Sequence, residues 1–136
     1  MNKYFNRELS WLEFNSRVLR IYDRDKLLIG EKMKFLSIFS ENLDEFFMVR
    51  VGTLWDQLKF EAEERDKSGL TPREQLIKIS RKTKLLIKEL YSRYEDFKHK
   101  IKEHGLEIVS YEKLNMAEKE KAKDILSCKD LTIILD

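Results

Sequence analysis

The sequence has few of the residues that make tight turns, covalent staples and metal sites. Among 136 residues there are four Gly, one Pro and one Cys. So few Gly and Pro argue against the many turns of a β-sandwich or barrel and favour long helices. The lone Cys128 excludes an intramolecular disulfide, and His99 and His104 stand five positions apart, which places them on different faces of a helix. We therefore expect this chain to bind no metal.

Long apolar runs and an excess of one charge are also missing. No stretch reaches the roughly 18 consecutive apolar residues of a membrane-spanning helix, and the N-terminus lacks a signal-peptide pattern, so we expect a cytoplasmic protein. Lys and Arg number 27 against 25 Asp and Glu, with the two signs interleaved along the chain. Nucleic-acid-binding proteins usually gather basic residues into a patch, so no nucleic-acid partner is expected.

Helical periodicity begins near the N-terminus. Ser10 and Glu13 have the spacing of a capping box, in which each side chain accepts a hydrogen bond from a backbone N–H at the helix start. Apolar residues then recur at three- and four-residue steps: Trp11, Phe14, Val18 and Tyr22. This pattern predicts a first amphipathic helix that begins at Ser10.

A second helix is predicted from Glu31 to about Lys67, with apolar residues around much of its circumference. One stripe consists of Leu36, Phe39, Leu43, Phe47, Leu54 and Leu58, and the other of Phe35, Ile38, Phe46 and Val49. A helix with two apolar stripes is usually covered on several sides. We therefore expect this helix to be the central one, with its charged distal end outside the core.

The third helix has the clearest boundaries. Thr71 is a predicted N-cap, Pro72 suits the first helical position and Glu74 completes a capping box. Gly105 suits the left-handed position just after the helix end, with His104 before it. Between these limits lies an apolar seam typical of an antiparallel helix pair. It consists of Leu76, Ile79, Thr83, Leu86, Leu90, Tyr94, Phe97 and Ile101.

The pattern changes after Gly105. Residues 106–111, "LEIVSY", predict either a short strand or an extended connector. Asn115 and Glu118 have capping-box spacing before a short helix that reaches about Ser127, and "LTIILD" at 131–136 favours a strand without a partner, which suggests that the chain continues. The expected fold is all-α: a three-helix bundle with a long antiparallel hairpin over residues 1–105, then a short α/β stub, residues 106–136, that starts a following domain.

Two blocks together carry a resemblance to a known family. They are "NRELSWLEFNSRVL", Asn6 to Leu19, and "KMKFLSIFSENLDEFFMVRVGTL", Lys32 to Leu54. In wording, order and spacing they resemble the N-terminal helical domain of polyphosphate kinase, the bacterial enzyme that reversibly transfers the terminal phosphate of ATP to polyphosphate. The resemblance implies that this domain covers the adenine end of the nucleotide pocket.

The resemblance also implies where the chemistry lies. In that family a following domain aids dimer formation, and two later phospholipase D-like domains carry the phosphorylated histidine and the residues that hold Mg²⁺ and phosphates. We therefore expect this chain alone to be inactive, to bind ATP or ADP weakly, and to meet Mg²⁺ and polyphosphate only through the other domains of the enzyme. Homo-oligomerisation, and peripheral membrane association of the parent enzyme, are left open.

Two residues are candidates for the nucleotide site. Asn42 matches the family position assigned to nucleotide binding, and an amide both donates and accepts hydrogen bonds, as a base edge requires. Asn42 and Glu45 also have capping-box spacing, so the alternative is that Asn42 caps a helix after a break at Ser40. Arg50 is the second candidate, either for a phosphate or for an ion pair with Asp44 or Glu45.

Other interpretations are weaker. Adjacent carboxylates on a helix point about 100° apart, so Asp44 and Glu45 are not expected to act as an acid/base pair. Core packing is favoured over a base-stacking platform for the aromatic set Trp11, Phe14, Phe39, Phe46, Phe47 and Trp55. The rival function is a stand-alone helical interaction or dimerisation module, for which an exposed apolar stripe on the first or third helix would argue.

Overall fold

A computed structural model describes residues 4–60 and 64–127, and its secondary structure within these ranges is helical, without strands. The helices are α1 (Arg7–Arg20), α2 (Ile29–Glu45), α3 (Gly52–Lys59), α4 (Pro72–Glu103) and α5 (Met116–Ser127). A six-residue π-helical segment, Phe46–Val51, joins α2 to α3. The all-α prediction is therefore confirmed.

The chain divides into two compact units, one ending at His104 and the other beginning at Gly105. In the first unit α1 packs against both α2 and α4, and α4 also contacts α3. Helix α2 lies beside the later half of α4, and the π-helical segment and α3 lie beside its first half. This arrangement is the antiparallel hairpin that the sequence predicts. That the second unit begins a following domain stays a prediction.

The start of α1 differs from the prediction. Asn6 is the N-cap, because its Oδ1 accepts a hydrogen bond of 2.9 Å from the backbone N–H of Leu9. Ser10 lies inside the helix, so the predicted capping box at Ser10 and Glu13 is wrong. Glu13 instead pairs across the bundle with Lys82 of α4. The region therefore contains two side chains that could cap the helix, Asn6 and Ser10. In the folded structure the earlier residue, Asn6, is the cap.

The second helical run is also shorter than predicted. It continues from α2 through the π-helical segment into α3 and ends at Lys59, and residues 64–70 form turns and irregular backbone rather than the helix expected up to Lys67. Hydrogen bonds to the side chain of Asp66, which compete with helix formation, explain this difference. Asp66 accepts hydrogen bonds from the backbone N–H groups of Ser68 and Leu70, which folds the chain into a turn.

The limits of α4 confirm the prediction in detail. Thr71 Oγ1 accepts a 3.2 Å hydrogen bond from the Glu74 N–H, and the Glu74 carboxylate accepts a 2.8 Å bond from the Thr71 N–H. Pro72 is the first helical residue, and Gly105 follows the helix with φ 76°. The predicted seam contacts the core along its whole length, with Leu76, Leu90 and Tyr94 partly buried and its other members buried.

The core of the first unit lies where α1 meets α2 and α4. Its most deeply buried apolar side chains come from these three helices and from the start of the π-helical segment: Leu12, Leu19, Phe39, Phe46, Ile79 and Leu86. Each such side chain contributes about 1.5–3 kcal/mol by its removal from water. The core thus fixes the position of α1 relative to the π-helical segment, which is the part of the fold that shapes the groove described below.

The second unit contains a connector and a capped helix. Residues 106–110 have no regular structure, so the strand predicted there is wrong and the extended connector is correct. Asn115 Oδ1 accepts from the Glu118 N–H and the Glu118 carboxylate accepts from the Asn115 N–H, which confirms the predicted capping box of α5. The predicted strand at 131–136 lies outside the described residues.

Candidate functional site

An open groove of about 870 Å³ lies in the first unit, between the start of α1, the π-helical segment and the loop before α4. We call it the α1 groove. Its polar lining includes Asn6, Glu8, Asn42, Arg50, Thr53, Gln57, Asp66 and Gln75, and its aromatic lining includes Trp11 and Phe46. Both sequence-predicted site residues, Asn42 and Arg50, therefore contribute to one surface.

Asn42 lies in the last turn of α2 rather than at a helix start. The helix runs unbroken through Ser40 to Glu45, so the alternative in which Asn42 is an N-cap is wrong. The half-buried Asn42 side chain donates from Nδ2 to Asn15 Oδ1 at 3.0 Å. Within the described part of the chain Asn42 Oδ1 has no partner, so this carbonyl oxygen and the second N–H of the amide are open to a ligand.

Asn15 is the site residue that the sequence reasoning missed. It is fully buried in α1, at 0% exposure, and its Nδ2 donates to the backbone carbonyl oxygen of Phe39 at 3.1 Å. The signal was present, because Asn15 lies on the same helical face as Leu12 and Leu19. A buried amide on an apolar face needs polar partners, and here they come from α2.

Arg50 forms an ion pair, but not with the carboxylates predicted. Its Nη1 lies 3.2 Å from Glu8 Oε2, and the pairing expected with Asp44 or Glu45 is wrong. Glu8 is only 4% exposed and also accepts a 2.8 Å bond from Arg7 Nε. Burial of a carboxylate is costly unless cationic or hydrogen-bonding partners compensate for the lost water. The charge of Arg50 is therefore largely compensated before any ligand arrives.

The π-helical segment explains why Asn42 and Arg50 line the same groove. Eight α-helical residues rotate by about 800°, which would leave Arg50 roughly 80° away from Asn42 around the helix axis. In the segment the Gly52 N–H donates to the Phe47 carbonyl five residues earlier. A π turn absorbs one extra residue, so the eight residues act as about seven α positions and the angle falls to about 20°.

The aromatic residues divide between core and surface. Trp11 stacks on Phe46 with ring centroids 4.7 Å apart and an interplanar angle of 10°, and the Arg50 guanidinium lies 6.0 Å from the Trp11 ring centroid. Phe39 and Phe46 are buried, as predicted. The prediction of core packing is wrong for Phe14, Phe47 and Trp55, whose side chains are exposed. Helical spacing alone does not distinguish these three residues from core residues, but the packing of the helices leaves their side chains exposed.

The far wall of the groove is a hydrogen-bonded joint between α1 and the loop before α4. Asn6 Nδ2 donates to Asp66 Oδ2 at 2.8 Å and to Gln75 Oε1 at 2.9 Å. Burial raises the pKa of Asp66, but the hydrogen bonds from Ser68, Leu70 and Asn6 outweigh it and hold the pKa below its ordinary value. This joint fixes the spacing between the start of α1 and the start of α4.

The described residues show no cluster of His, Cys, Asp or Glu that could hold a metal ion. No helix in the same ranges has the length and apolar character needed to cross a membrane. The α1 groove offers a ligand the amide of Asn42, the side chain of Trp11, the paired charges of Arg7, Arg50 and Glu8, and Lys67.

Comparison with known proteins decides the family. The family model described as "Polyphosphate kinase N-terminal domain" matches residues 4–109, which include the whole of the α1 groove. The chain belongs to the polyphosphate kinase family. The region it matches is the N-terminal domain of that family, as the two sequence blocks predict.

Individual polyphosphate kinases show the same relationship. The chain is 46% identical over 113 residues to the polyphosphate kinase of Staphylococcus saprophyticus, and 44% identical over 119 residues to that of Prosthecochloris aestuarii. It is 40% identical over 123 residues to the enzyme of Helicobacter pylori. These matches cover 82–90% of this chain but only 16–18% of each relative, so the chain spans a small part of their length.

Proposed function

We propose that this domain forms the wall of a nucleotide pocket that contacts the base, in a polyphosphate kinase that reversibly transfers the terminal phosphate of ATP to polyphosphate. The observation that carries the proposal is the amide of Asn42, which lines the α1 groove and whose Oδ1 has no hydrogen-bond partner among residues 4–60 and 64–127. An amide held in this way presents an acceptor and a donor side by side, which complements the edge of adenine.

Two of the three cations that line the groove, Arg7 and Arg50 but not Lys67, are already paired among the described residues, which favours a base over a phosphate group beside them. Arg50 is paired with Glu8, and Arg7 is paired with the same carboxylate. A phosphate site needs cationic groups or free backbone N–H groups that are not already neutralised. Arg50 instead makes a cation–π contact with Trp11, with its guanidinium 6.0 Å from the ring centroid. We therefore assign Arg50 to the base end of the pocket and not to a phosphate clamp.

Catalysis belongs, in this proposal, to the other domains of the enzyme. Phosphoryl transfer depends on a bound metal, cationic clamps and a positioned nucleophile. The relatives are about six times longer than the matched region, since that region covers 16–18% of them. Mg²⁺, the phosphates of ATP or ADP and the polyphosphate chain would be held there, so the present chain is expected to transfer no phosphate by itself.

A titration of the ¹⁵N-labelled chain with ADP, followed by NMR, tests the proposal. One wall of a pocket buries only part of a ligand, so we expect a dissociation constant in the millimolar range. The side-chain signals of Asn42, Arg50 and Trp11 should shift most. Asn42→Ala should abolish the response, whereas Ser37→Ala, on a different surface of α2, should leave it unchanged. Submicromolar affinity, or shifts confined to another surface, would argue against the assignment.

A second candidate function is an interaction module. Apolar side chains of the π-helical segment and α3 are exposed, with Met48 at 75%, Val49 at 60% and Trp55 at 55%. Such a set is typical of a surface that another domain or a second copy covers. This candidate predicts self-association of the chain without any response to ADP. Sedimentation equilibrium at increasing ADP concentrations separates it from the nucleotide-pocket proposal.

A further inference from the structure

A relay of three groups connects the buried face of α1 to the α1 groove. The backbone carbonyl oxygen of Phe39 accepts from Asn15 Nδ2 at 3.1 Å, and Asn15 Oδ1 accepts from Asn42 Nδ2 at 3.0 Å. Asn15 is fully buried, so water cannot replace either bond. The relay therefore links a fixed backbone group to a side chain that lines the groove.

The hydrogen bonds of the relay allow only one orientation of each amide group. A backbone carbonyl only accepts hydrogen bonds, so the end of the Asn15 amide that faces Phe39 must be the NH₂ group. The oxygen of Asn15 then faces Asn42, which must present its own NH₂ group in return. Asn42 Oδ1 therefore points away from Asn15, beside the second N–H of the same amide, and no described residue bonds to it. A 180° flip of the Asn42 amide would set two oxygens against each other.

We propose that Asn15 is a positioning residue that makes the α1 groove selective for a 6-aminopurine over a 6-oxopurine. This inference rests on the proposed function, because it assumes that Asn42 contacts the base. On its Watson–Crick edge adenine offers the 6-amino donor next to the N1 acceptor, whereas guanine and hypoxanthine offer the O6 acceptor next to the N1–H donor. The fixed amide of Asn42 matches the first pair of groups and opposes the second.

The first test compares two nucleotides on the wild-type chain. Inosine diphosphate differs from ADP by replacement of the 6-amino group with an oxo group, with a proton on N1. We expect ADP to bind at least about fivefold more tightly than inosine diphosphate, because a matched bidentate amide contact is worth roughly 1 kcal/mol or more. NMR titration of the labelled chain gives both dissociation constants. Equal affinities would overturn the inference.

The second test removes the relay. Asn15→Leu replaces the amide by an apolar side chain of similar size, so Asn42 becomes free to flip and to match either base. We expect the preference for ADP to fall to within about twofold, mainly through tighter binding of inosine diphosphate. Asn15→Thr serves if the first variant does not fold, because its hydroxyl bonds back to its own helix and does not reach Asn42.

A control variant on the same helical face is available. Ser16 is also fully buried in α1, and its Oγ has no hydrogen-bond partner within the described residues. Ser16→Ala thus alters the buried face without touching the relay, and it should keep the full preference for ADP. Loss of the preference in Ser16→Ala as well would assign the effect to packing and overturn the role of Asn15.

The results also separate this inference from the proposed function. If Asn15→Leu keeps the preference for ADP, Asn15 does not set selectivity, while nucleotide binding by the groove stands. If neither nucleotide shifts the groove signals at 20 mM, a concentration about tenfold above a low-millimolar dissociation constant, both the proposed function and the inference fail.

Discussion

The two long helical runs of the first unit contact α1 in different ways. Helix α4 meets it mainly with an apolar seam. Its polar contacts with the α1 region, Gln75 with Asn6 and Lys82 with Glu13, are made by residues outside the seam, and one buried polar atom of the seam, Thr83 Oγ1, has no hydrogen-bond partner within the described residues. The run from α2 through the π-helical segment to α3 also buries apolar residues, but its polar side chains are tied to α1. Asn42 is bonded to Asn15, and Arg50 to Glu8.

This difference separates scaffold from site. An apolar seam is non-directional and tolerates small shifts, whereas hydrogen bonds and ion pairs fix atoms in place. The partners of Asn42 and Arg50 are 27 and 42 residues away in sequence, so the groove geometry depends on the finished fold. We infer that α4 stabilises the unit and that the π-helical run positions the groups that a ligand meets.

Large-to-small changes in the two runs should have the largest effects on stability. Phe46→Ala and Leu86→Ala each remove a side chain that is about 1% exposed, and each should lower the free energy of unfolding by about 2–5 kcal/mol. Only Phe46 stacks on Trp11 in the groove, so only Phe46→Ala should change the response to ADP at temperatures where both variants are folded. Denaturant unfolding followed by circular dichroism, with ADP titrations, checks this. An equal loss of ADP response in Leu86→Ala would contradict the separation.

Removal of the charge of Arg50 should have the next largest effect. Arg50→Met leaves the buried Glu8 carboxylate with only Arg7, whose side chain is mostly exposed, so we expect a loss of about 1–3 kcal/mol. Lys59→Met is the matched control, because the pair of Lys59 with Asp56 is exposed and should contribute nothing measurable. Denaturant midpoints of the two variants give the comparison. A neutral Arg50→Met would show that Glu8 does not depend on this partner.

The joint at Asp66 predicts a dependence on pH. The folded-state pKa of Asp66 lies below its ordinary value of 3.8, so its contribution to stability is present above that value and is lost as the pH falls through the folded pKa. Asp66→Asn should therefore cost roughly 1 kcal/mol at pH 7, and the difference from wild type should shrink below about pH 4. Thermal unfolding at several pH values measures this. If the difference in stability between wild type and Asp66→Asn stays constant from pH 7 to pH 3, the Asp66 carboxylate is not the cause of that difference.

The smallest expected change is a gain in the stability of the folded chain. Thr83→Val keeps the shape of the side chain and removes the buried Oγ1 that has no partner within the described residues. Because an unpaired buried hydroxyl is unfavourable, we expect the variant to be neutral or up to about 1 kcal/mol more stable. The denaturant midpoint reports the change. A clear loss of stability would show that Thr83 Oγ1 makes a stabilising polar contact, and that the seam of α4 is not held by apolar packing alone.

The two runs also differ in how far the sequence predicts them. The cap, the seam and the end of α4 depend on residues within a few positions of one another, and local patterns predict all three. The groove does not follow from local patterns. The cap at Asn6, the π-helical insertion and the partners of Asn42 and Arg50 each depend on contacts with distant segments. Helical periodicity predicts which residues are helical, but it does not report a one-residue insertion that rotates Arg50 toward Asn42.

Asn15 shows what could have been found from the sequence. A lone amide among Leu12, Ser16 and Leu19 on one helical face already requires a polar partner elsewhere in the core. The pattern does not say which residue supplies that partner. Several polar residues of the second helix could do so, and only the packing of α1 on α2 selects Asn42 and the Phe39 carbonyl.

The most direct test of the central claim is the KM for ADP of Asn42→Ala in the whole polyphosphate kinase that carries this domain. We expect the KM for ADP to rise at least about fivefold, because Asn42→Ala removes a bidentate amide contact with the base. The unfolding temperature should fall by only a few degrees, because among the described residues the side chain of Asn42 bonds to Asn15 alone. An unchanged KM in a folded variant would contradict the assignment of the α1 groove to the nucleotide base.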